Sequence, residues 1–274
     1  MHSPEFKEKF VAFIDIIGFK NLVKSAEDGT GKNLNEIEKL LKHLGTLENR
    51  DFYIQYGPHI CPTAPYIQKD LDFRITQISD CVVASSEVSP SGVINLVFHC
   101  WAAVLKLLNE GIMCRGYITR GMIYHTDTQM IGSAYQNAVE KEKFVSVFKK
   151  DANERGTPFV EIDNIVCNYV NENGDVCVKE MFSRFVQSDG LLTAIYPFKR
   201  LAHSFIITDK NFNPEQERKS NANIRINLIN FKNKISSLTD KSNAGAIKKA
   251  NHYIEALDKQ IKVCDDTDNM INRL

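Results

Sequence analysis

Two aspartates stand where short apolar runs end. Asp15 closes the run Lys9–Ile14 (KFVAFI), and Ile16-Ile17-Gly18-Phe19 follows it. Asp80 sits in the pair Ser79-Asp80, between the runs Phe73–Ile78 and Cys81–Ala84. A carboxylate at a strand end is held by stiff backbone, and one at a hairpin tip projects from a strand pair. On adjacent strands the two can hold two hard divalent cations, with phosphate oxygens completing the coordination. Gly18 lets backbone N–H groups approach a ligand closely, and the helix start beyond it favours phosphate. Gly18 and Phe19 are therefore substrate-side candidates. The chemistry that suits such a site is attack of a sugar 3′-hydroxyl on an α-phosphorus, driven by positioning and charge stabilisation.

The elements that must position these residues follow from periodicity. Lys9–Ile14 is short, apolar and β-rich, which predicts a buried strand. Phe19–Lys24 begins a helix. Asn33–Leu47 carries Leu34, Ile37, Leu40, Leu41 and Leu44 at helical spacing, with Asn33 as its N-cap. Phe73–Ile78, Ser79-Asp80 and Cys81–Ala84 predict a β-hairpin with the aspartate at its tip. Pro90–Glu110 reads as an amphipathic helix stopped by Gly111. Ile112–Tyr124 is a long strand or strand pair, Ser133–Phe148 a helix and Pro158–Ile162 a strand. Tyr56–Tyr66, with three prolines, is a loop. Beyond Asp163 the pattern weakens: a turn at Asn171–Gly174, a strand at Phe205–Ile207, and helices over Ile224–Leu238 and Ala244–Val263. The order implies an α/β or α+β sandwich of one sheet with helices, then a helical tail. Residues 1–165 form the expected catalytic domain, and 166–274 a largely helical extension packing on it.

Composition limits the partners. Thirty-four basic and 34 acidic residues leave a formal net charge of zero, so no global field recruits nucleic acid or an anionic membrane. A chain of this balance handles a polyanion through local cations or a metal. The apolar stretch Val93–Leu108 is interrupted by His99 and Lys106 and is not expected to span a bilayer. The seven cysteines form no CxxC pair and read as reduced thiols. With no signal-peptide pattern at the N-terminus, the expectation is a cytoplasmic protein.

Several motifs together resemble the class III nucleotidyl cyclase family. Phe13-Ile14-Asp15-Ile16-Ile17-Gly18-Phe19 matches its F-x-D-I-x-G-F motif. Ile78-Ser79-Asp80-Cys81-Val82-Val83-Ala84 resembles its G-D-x-x-x-A hairpin, with serine in place of glycine. Arg115–Gly121 (RGYITRG) resembles its R-x-G-I-x-x-G strand, and Gly132–Ala138 the glycine-led start of its last catalytic helix. The order holds over about the first 165 residues. The resemblance implies a ferredoxin-like βαββαβ core. It implies a homodimer with composite active sites, two magnesium or manganese ions per site, and Asp15, Ile16 and Asp80 as their ligands.

The departures bear on the substrate. Purine-specific members carry a lysine or glutamate four residues before the second aspartate, where this chain has Thr76. Their second base reader falls on Gln129. Their transition-state asparagine and arginine align with Gln136 and Glu140. Gln136 can still donate a hydrogen bond, but Glu140 cannot supply positive charge. Arg115, Arg120, Lys141 and Lys143 are the cations that could. This pattern, with Pro158-Phe159-Val160 beyond the helix, is similar to the bacterial pyrimidine cyclases of Pycsar antiphage defence. That similarity implies UTP or CTP as substrate and a cyclic nucleotide that activates a separate effector, with no nucleic acid or membrane partner. Thr76 and Gln129 suit uracil and cytosine alike; Arg74, Tyr53 and Tyr56 are further candidates for base contact. Phe13 and Phe19 are expected to place their rings in the core, and His99 to be a satisfied core histidine. Two other readings stay open: a cyclase-like domain that binds without turnover, and a purine cyclase with unusual base contacts.

Overall fold

The computed structural model describes residues 4–46, 51, 68, 70–154, 156–200 and 212–273. The chain divides into two compact units, one of residues 1–107 and 113–196, the other of 108–112 and 197–274.

The first unit is built on one sheet. Strand β1 (Lys7–Ile16) is followed by helices α1 (Phe19–Glu27) and α2 (Leu34–Lys42), and then by the hairpin β2 (Arg74–Ile78) and β3 (Cys81–Glu87). Helix α3 (Pro90–Asn109) leads into β4 (Cys114–His125), which turns back as β5 (Met130–Ile131). Next come α4 (Ser133–Glu142), β6 (Val160–Ile162), α5 (Asn164–Asn173), α6 (Val176–Phe185), β7 (Val186–Ser188) and β8 (Thr193–Ile195). The strands lie in the order β2-β3-β1-β4-β6-β8-β7, with β5 paired to β4. Within β2-β3-β1-β4 every pairing is antiparallel, with helices in the two crossovers, and β6 joins β4 in parallel. This is the expected βαββαβ core of a mixed α+β fold.

Central position explains the composition of β1. Phe10 to Ile14 are all buried because helices cover both faces. On one face Val11, Phe13, Val83 and Ile123 pack against Ala134 and Ala138 of α4. On the other, the Phe10 ring meets Tyr169 of α5 edge-on at 5.0 Å. Each fully buried large side chain contributes about 1.5–3 kcal/mol. Asn33 caps α2 as expected, in a reciprocal capping box with Glu36. Helix α3 is long and apolar enough to cross a bilayer by length and composition. Here Val93, Leu96, Val97, Cys100 and Leu107 of that helix are fully buried in the protein.

The structure corrects several element boundaries. The helix expected over Ser133–Phe148 ends at Glu142. Beyond it the backbone is claimed by distant acceptors: the Ser146 and Val147 amides donate to the Glu161 carboxylate at 2.9 and 3.0 Å, and Phe148 adopts φ 58°. Asn171–Gly174 is not a separate turn; α5 runs through Asn173 and Gly174 caps it. Residues 166–196 also contribute β7 and β8 to the sheet. The expected strand at Phe205–Ile207 and the loop Tyr56–Tyr66 lie outside the described residues.

The second unit is dominated by two antiparallel helices, α7 (Pro214–Leu238) and α8 (Ala244–Ile271), both longer than periodicity suggested. Arg225 pairs with Asp265 and Asp268, and Lys232 with Asp258. Leu228, Ile235, Leu257 and Cys264 are buried, and Phe198 meets Tyr253 edge-on at 5.1 Å.

Candidate active site

The two aspartates come together at one end of the sheet. Asp15 is directly opposite Cys81 on β3 and Arg115 on β4, and Cys81 is opposite Ile78 on β2. Residues in one such row project from the same face. Asp80 occupies the two-residue turn joining β2 to β3. The Ile16 N–H donates to the Asp80 carbonyl at 3.2 Å, so β1 itself pins the turn. Ser79 adopts φ 53° there. A left-handed position costs a non-glycine residue roughly 1–2 kcal/mol, which is why glycine suits it.

The Asp15 and Asp80 carboxyl groups are within hydrogen-bonding reach of each other. Burial, then the Asp80 and Glu142 charges, push the Asp15 carboxyl up to about 7, against a smaller opposing pull from Arg115. Burial and the same two aspartates hold the Cys81 thiol at about 11. Two crowded carboxylates with this much unrelieved negative charge suit a divalent cation. Ile16 has no side-chain donor, so it can join them only through its backbone carbonyl. Among the described residues there is no group of three or more His, Cys, Asp or Glu side chains that could hold a metal. The candidate rests on the two carboxylates.

Beside them lies a buried ion pair that the sequence did not single out. The Arg115 Nε donates to the carboxylate of Glu142, whose side chain is only 5% exposed. Gly156 makes room for the guanidinium: with φ +67°, a Cβ there would lie 2.5 Å from the Arg115 Nη1. One signal was available. Ala134, Ala138 and Glu142 share a helix stripe at i, i+4 spacing, and an acid on a stripe of buried alanines is unusual.

In the turn after β1, Gly18 is left-handed (φ 81°) and opens α1 with no side chain capping the first turn and no acid in it. The Ile17 N–H donates to the Met113 carbonyl at 3.0 Å, fixing this turn to the start of β4. The first amides of α1 are therefore available to an anion. Phe13 is buried as expected of a core ring, whereas Phe19 is only half-buried on a helix with no buried residue, so it is not part of the core.

The two base-reading candidates each hydrogen-bond to Thr126. Thr76 Oγ1 lies 3.0 Å from His125 Nε2 and 3.3 Å from the Thr126 carbonyl. The Gln129 N–H in turn donates to Thr126 Oγ1 at 3.0 Å. Thr126 is thus bonded to the Thr76 hydroxyl through its carbonyl and to the Gln129 backbone through its hydroxyl, while the Gln129 side chain is exposed. Arg74 lines an adjoining cleft of about 380 Å³ with Lys7, Lys9, Asp72, His125 and Thr126. Its guanidinium pairs with Asp127 at 3.1 Å and Asp72 at 3.5 Å. Tyr53 and Tyr56 lie outside the described residues.

Other candidates are placed elsewhere. Arg120 is five residues along β4 from Arg115 and so projects from the opposite face. It holds Glu8 through two hydrogen bonds of 3.1 and 2.9 Å and lies 5.4 Å from the Tyr169 ring centroid. Those contacts account for its charge and do not bring it to the aspartates. Gln136 and Glu140 are exposed on α4, turned away from the stripe that faces the sheet; Lys141 and Lys143 are also exposed. His99 is buried, and its pKa is lowered by burial to about 4. None of the six described cysteines is joined in a disulfide.

No family model matches the chain, and no curated protein matches it. Among solved structures, the chain is similar to the catalytic core of a rhodopsin-guanylyl cyclase with converted specificity, determined in complex with ATPαS. The identity is 15%, with a TM-score of 0.38, covering 61% of this chain and 84% of that one.

Proposed function

We propose that this chain is a nucleotidyl cyclase acting on a pyrimidine triphosphate, UTP or CTP. The 3′-oxygen would form a bond to the α-phosphorus, the bond from that phosphorus to the α,β-bridging oxygen would break, and the 3′-hydroxyl proton and pyrophosphate would leave. The observation that carries this reading is the Asp15–Asp80 carboxyl pair, pinned where β1 meets the β2–β3 turn, with Asp15 raised to about 7 first by burial and then by the Asp80 charge. Bound magnesium or manganese would neutralise the phosphates and acidify the 3′-hydroxyl. The amides opening α1 at Gly18 and Phe19 would seat phosphate oxygens. Thr76 and Gln129 offer the short polar groups that a pyrimidine edge needs. Both positions are tied to Thr126, Thr76 by its hydroxyl and Gln129 by its backbone N–H, which supports that role.

The outward position of Gln136 supports a composite site completed by a second copy of the chain. Signalling to a separate effector in antiphage defence, from the cytoplasm, is part of the same proposal and rests on the motif resemblance.

One observation favours a second reading, binding without turnover. Arg115 is neutralised by Glu142, and Glu140 stands where an arginine would stabilise the transition state. One experiment separates the two. The protein is incubated with each of the four nucleoside triphosphates and manganese, and products are resolved by chromatography. A cyclic pyrimidine nucleotide is expected, lost in Asp15→Ala and Asp80→Ala. A purine product would sink the pyrimidine assignment, and no product from any triphosphate would sink the enzyme reading.

A further inference from the structure

We propose that His125 is a positioning residue which, held by Ser85, fixes the Thr76 hydroxyl as a hydrogen-bond acceptor toward the substrate base. This deepens the cyclase reading and rests on it. Ser85 is fully buried and His125 is 8% exposed. Ser85 Oγ lies 2.8 Å from His125 Nδ1, and Thr76 Oγ1 lies 3.0 Å from His125 Nε2. The chain of contacts continues from Thr76 Oγ1 to the Thr126 carbonyl at 3.3 Å.

The hydrogens can be counted along this chain. A hydroxyl has one proton, and a neutral imidazole has one donor and one acceptor. Burial, then the Lys9 and Arg74 charges, lower the His125 pKa to about 4, so the ring is neutral near pH 7. With the proton on Nε2, every group is satisfied in one direction. The Ser85 hydroxyl donates to Nδ1, Nε2–H donates to Thr76 Oγ1, and the Thr76 hydroxyl donates to the Thr126 carbonyl. With the proton on Nδ1, the buried Ser85 would receive a hydrogen bond while its own proton lost the ring nitrogen as acceptor. Thr76 would then have to choose between Nε2 and Thr126. Leaving a buried donor unmade is costly, which selects the Nε2–H form.

The consequence falls on Thr76. Its proton is committed to Thr126 and one lone pair to His125, so the remaining lone pair can only accept. Thr76 is half-buried, and in the proposal that lone pair faces the ligand. It would therefore meet an N–H on the base edge, such as the ring N3–H of uracil or the exocyclic amine of cytosine. A ring nitrogen lone pair facing it would be rejected.

Two measurements test this. Nitrogen-15 NMR of histidine-labelled wild-type protein at pH 7.5 should find His125 neutral with the proton on Nε2. The Nδ1–H form, or a doubly protonated ring, overturns the relay. Steady-state kinetics are then run with whichever triphosphate is turned over. His125→Gln, whose amide can place a donor near the Nε2 position, should hold KM within about threefold of wild type. His125→Asn, which cannot reach it, and Thr76→Val should each raise KM about tenfold with kcat largely kept. An Nε2–H ring with unchanged KM in both His125→Asn and Thr76→Val overturns the base-facing role. An Nε2–H ring with no turnover of any triphosphate sinks the cyclase reading, and the base-facing role with it, while the relay itself stands.

Discussion

The crowding of Asp15 against Asp80 makes a measurable demand on stability. In metal-free protein, Asp15→Asn should stabilise the fold at pH 8, because the amide keeps the shape and removes the charge. Raising the Asp15 carboxyl from 3.8 to about 7 is a little over three units. At about 1.4 kcal/mol per unit this sets an upper bound of about 4 kcal/mol. Asp15 is only half-buried and water screens it, which leaves about 1–2 kcal/mol. The sign follows from proton linkage. The folded carboxyl holds its proton more tightly than the unfolded one, so its favourable contribution is full below about pH 4. It is lost as pH rises through about 7. The advantage of Asp15→Asn should therefore be absent at pH 4, grow between, and be complete by pH 8, where Tm rises by roughly 2–6 °C. Thermal unfolding in a chelator across this range reads it directly. Manganese should reverse the order. At a hundred times its dissociation constant it stabilises the wild type by about 2.7 kcal/mol, and Asp15→Asn and Asp80→Asn much less. A metal-free Asp15→Asn protein less stable than wild type at pH 8 would refute the crowding argument. Equal stabilisation of all three proteins by manganese would refute the metal assignment.

Other consequences are simpler to read. Glu142→Gln leaves the Arg115 guanidinium without its counter-charge in a largely buried place, and should cost about 2–3 kcal/mol by urea denaturation. Gly156→Ala meets both a positive φ and the Arg115 guanidinium, so a loss of about 1–3 kcal/mol is expected, with a fall in any cyclase activity that uses Arg115. Glu161→Ala strips the Ser146 and Val147 amides of their acceptor and should cost about 2–3 kcal/mol; hydrogen exchange at those two amides should rise first. Arg120→Met removes a pair on the face away from the aspartates and should change stability by under about 1 kcal/mol while leaving turnover intact.

Much of the first unit's architecture was legible in the sequence because its signals are local. The apolar run into Asp15, the alternation around Ser79-Asp80, the Asn33 cap and the glycine after α3 each depend on neighbours a few residues away. These local signals also imply the βαββαβ order, since strands and helices alternate in chain sequence. Boundaries failed where distant groups intervened. The helix after Ser133 has the periodicity to continue, but the Glu161 carboxylate, fifteen residues downstream, takes the amides that would extend it. The strands β7 and β8 are three residues each, too short to show a period.

The side chains divide the same way. Sequence pointed to Asp15 and Asp80 because residue type and position at a strand end are local facts, and to Thr76 and Gln129 only through the family resemblance. Only the tertiary structure decided which cations and hydrogen-bonding partners surround them. Arg115 and Arg120 look alike in a strand, yet alternation sends one to Glu142 beside the aspartates and the other to Glu8 on the far face. His125 is 49 residues from Thr76, and Ser85 is 40 residues from His125. No local pattern predicts that a strand curling over the sheet will close that chain. Contacts of this kind are set by sheet register and side-chain burial, which exist only once the strands have paired.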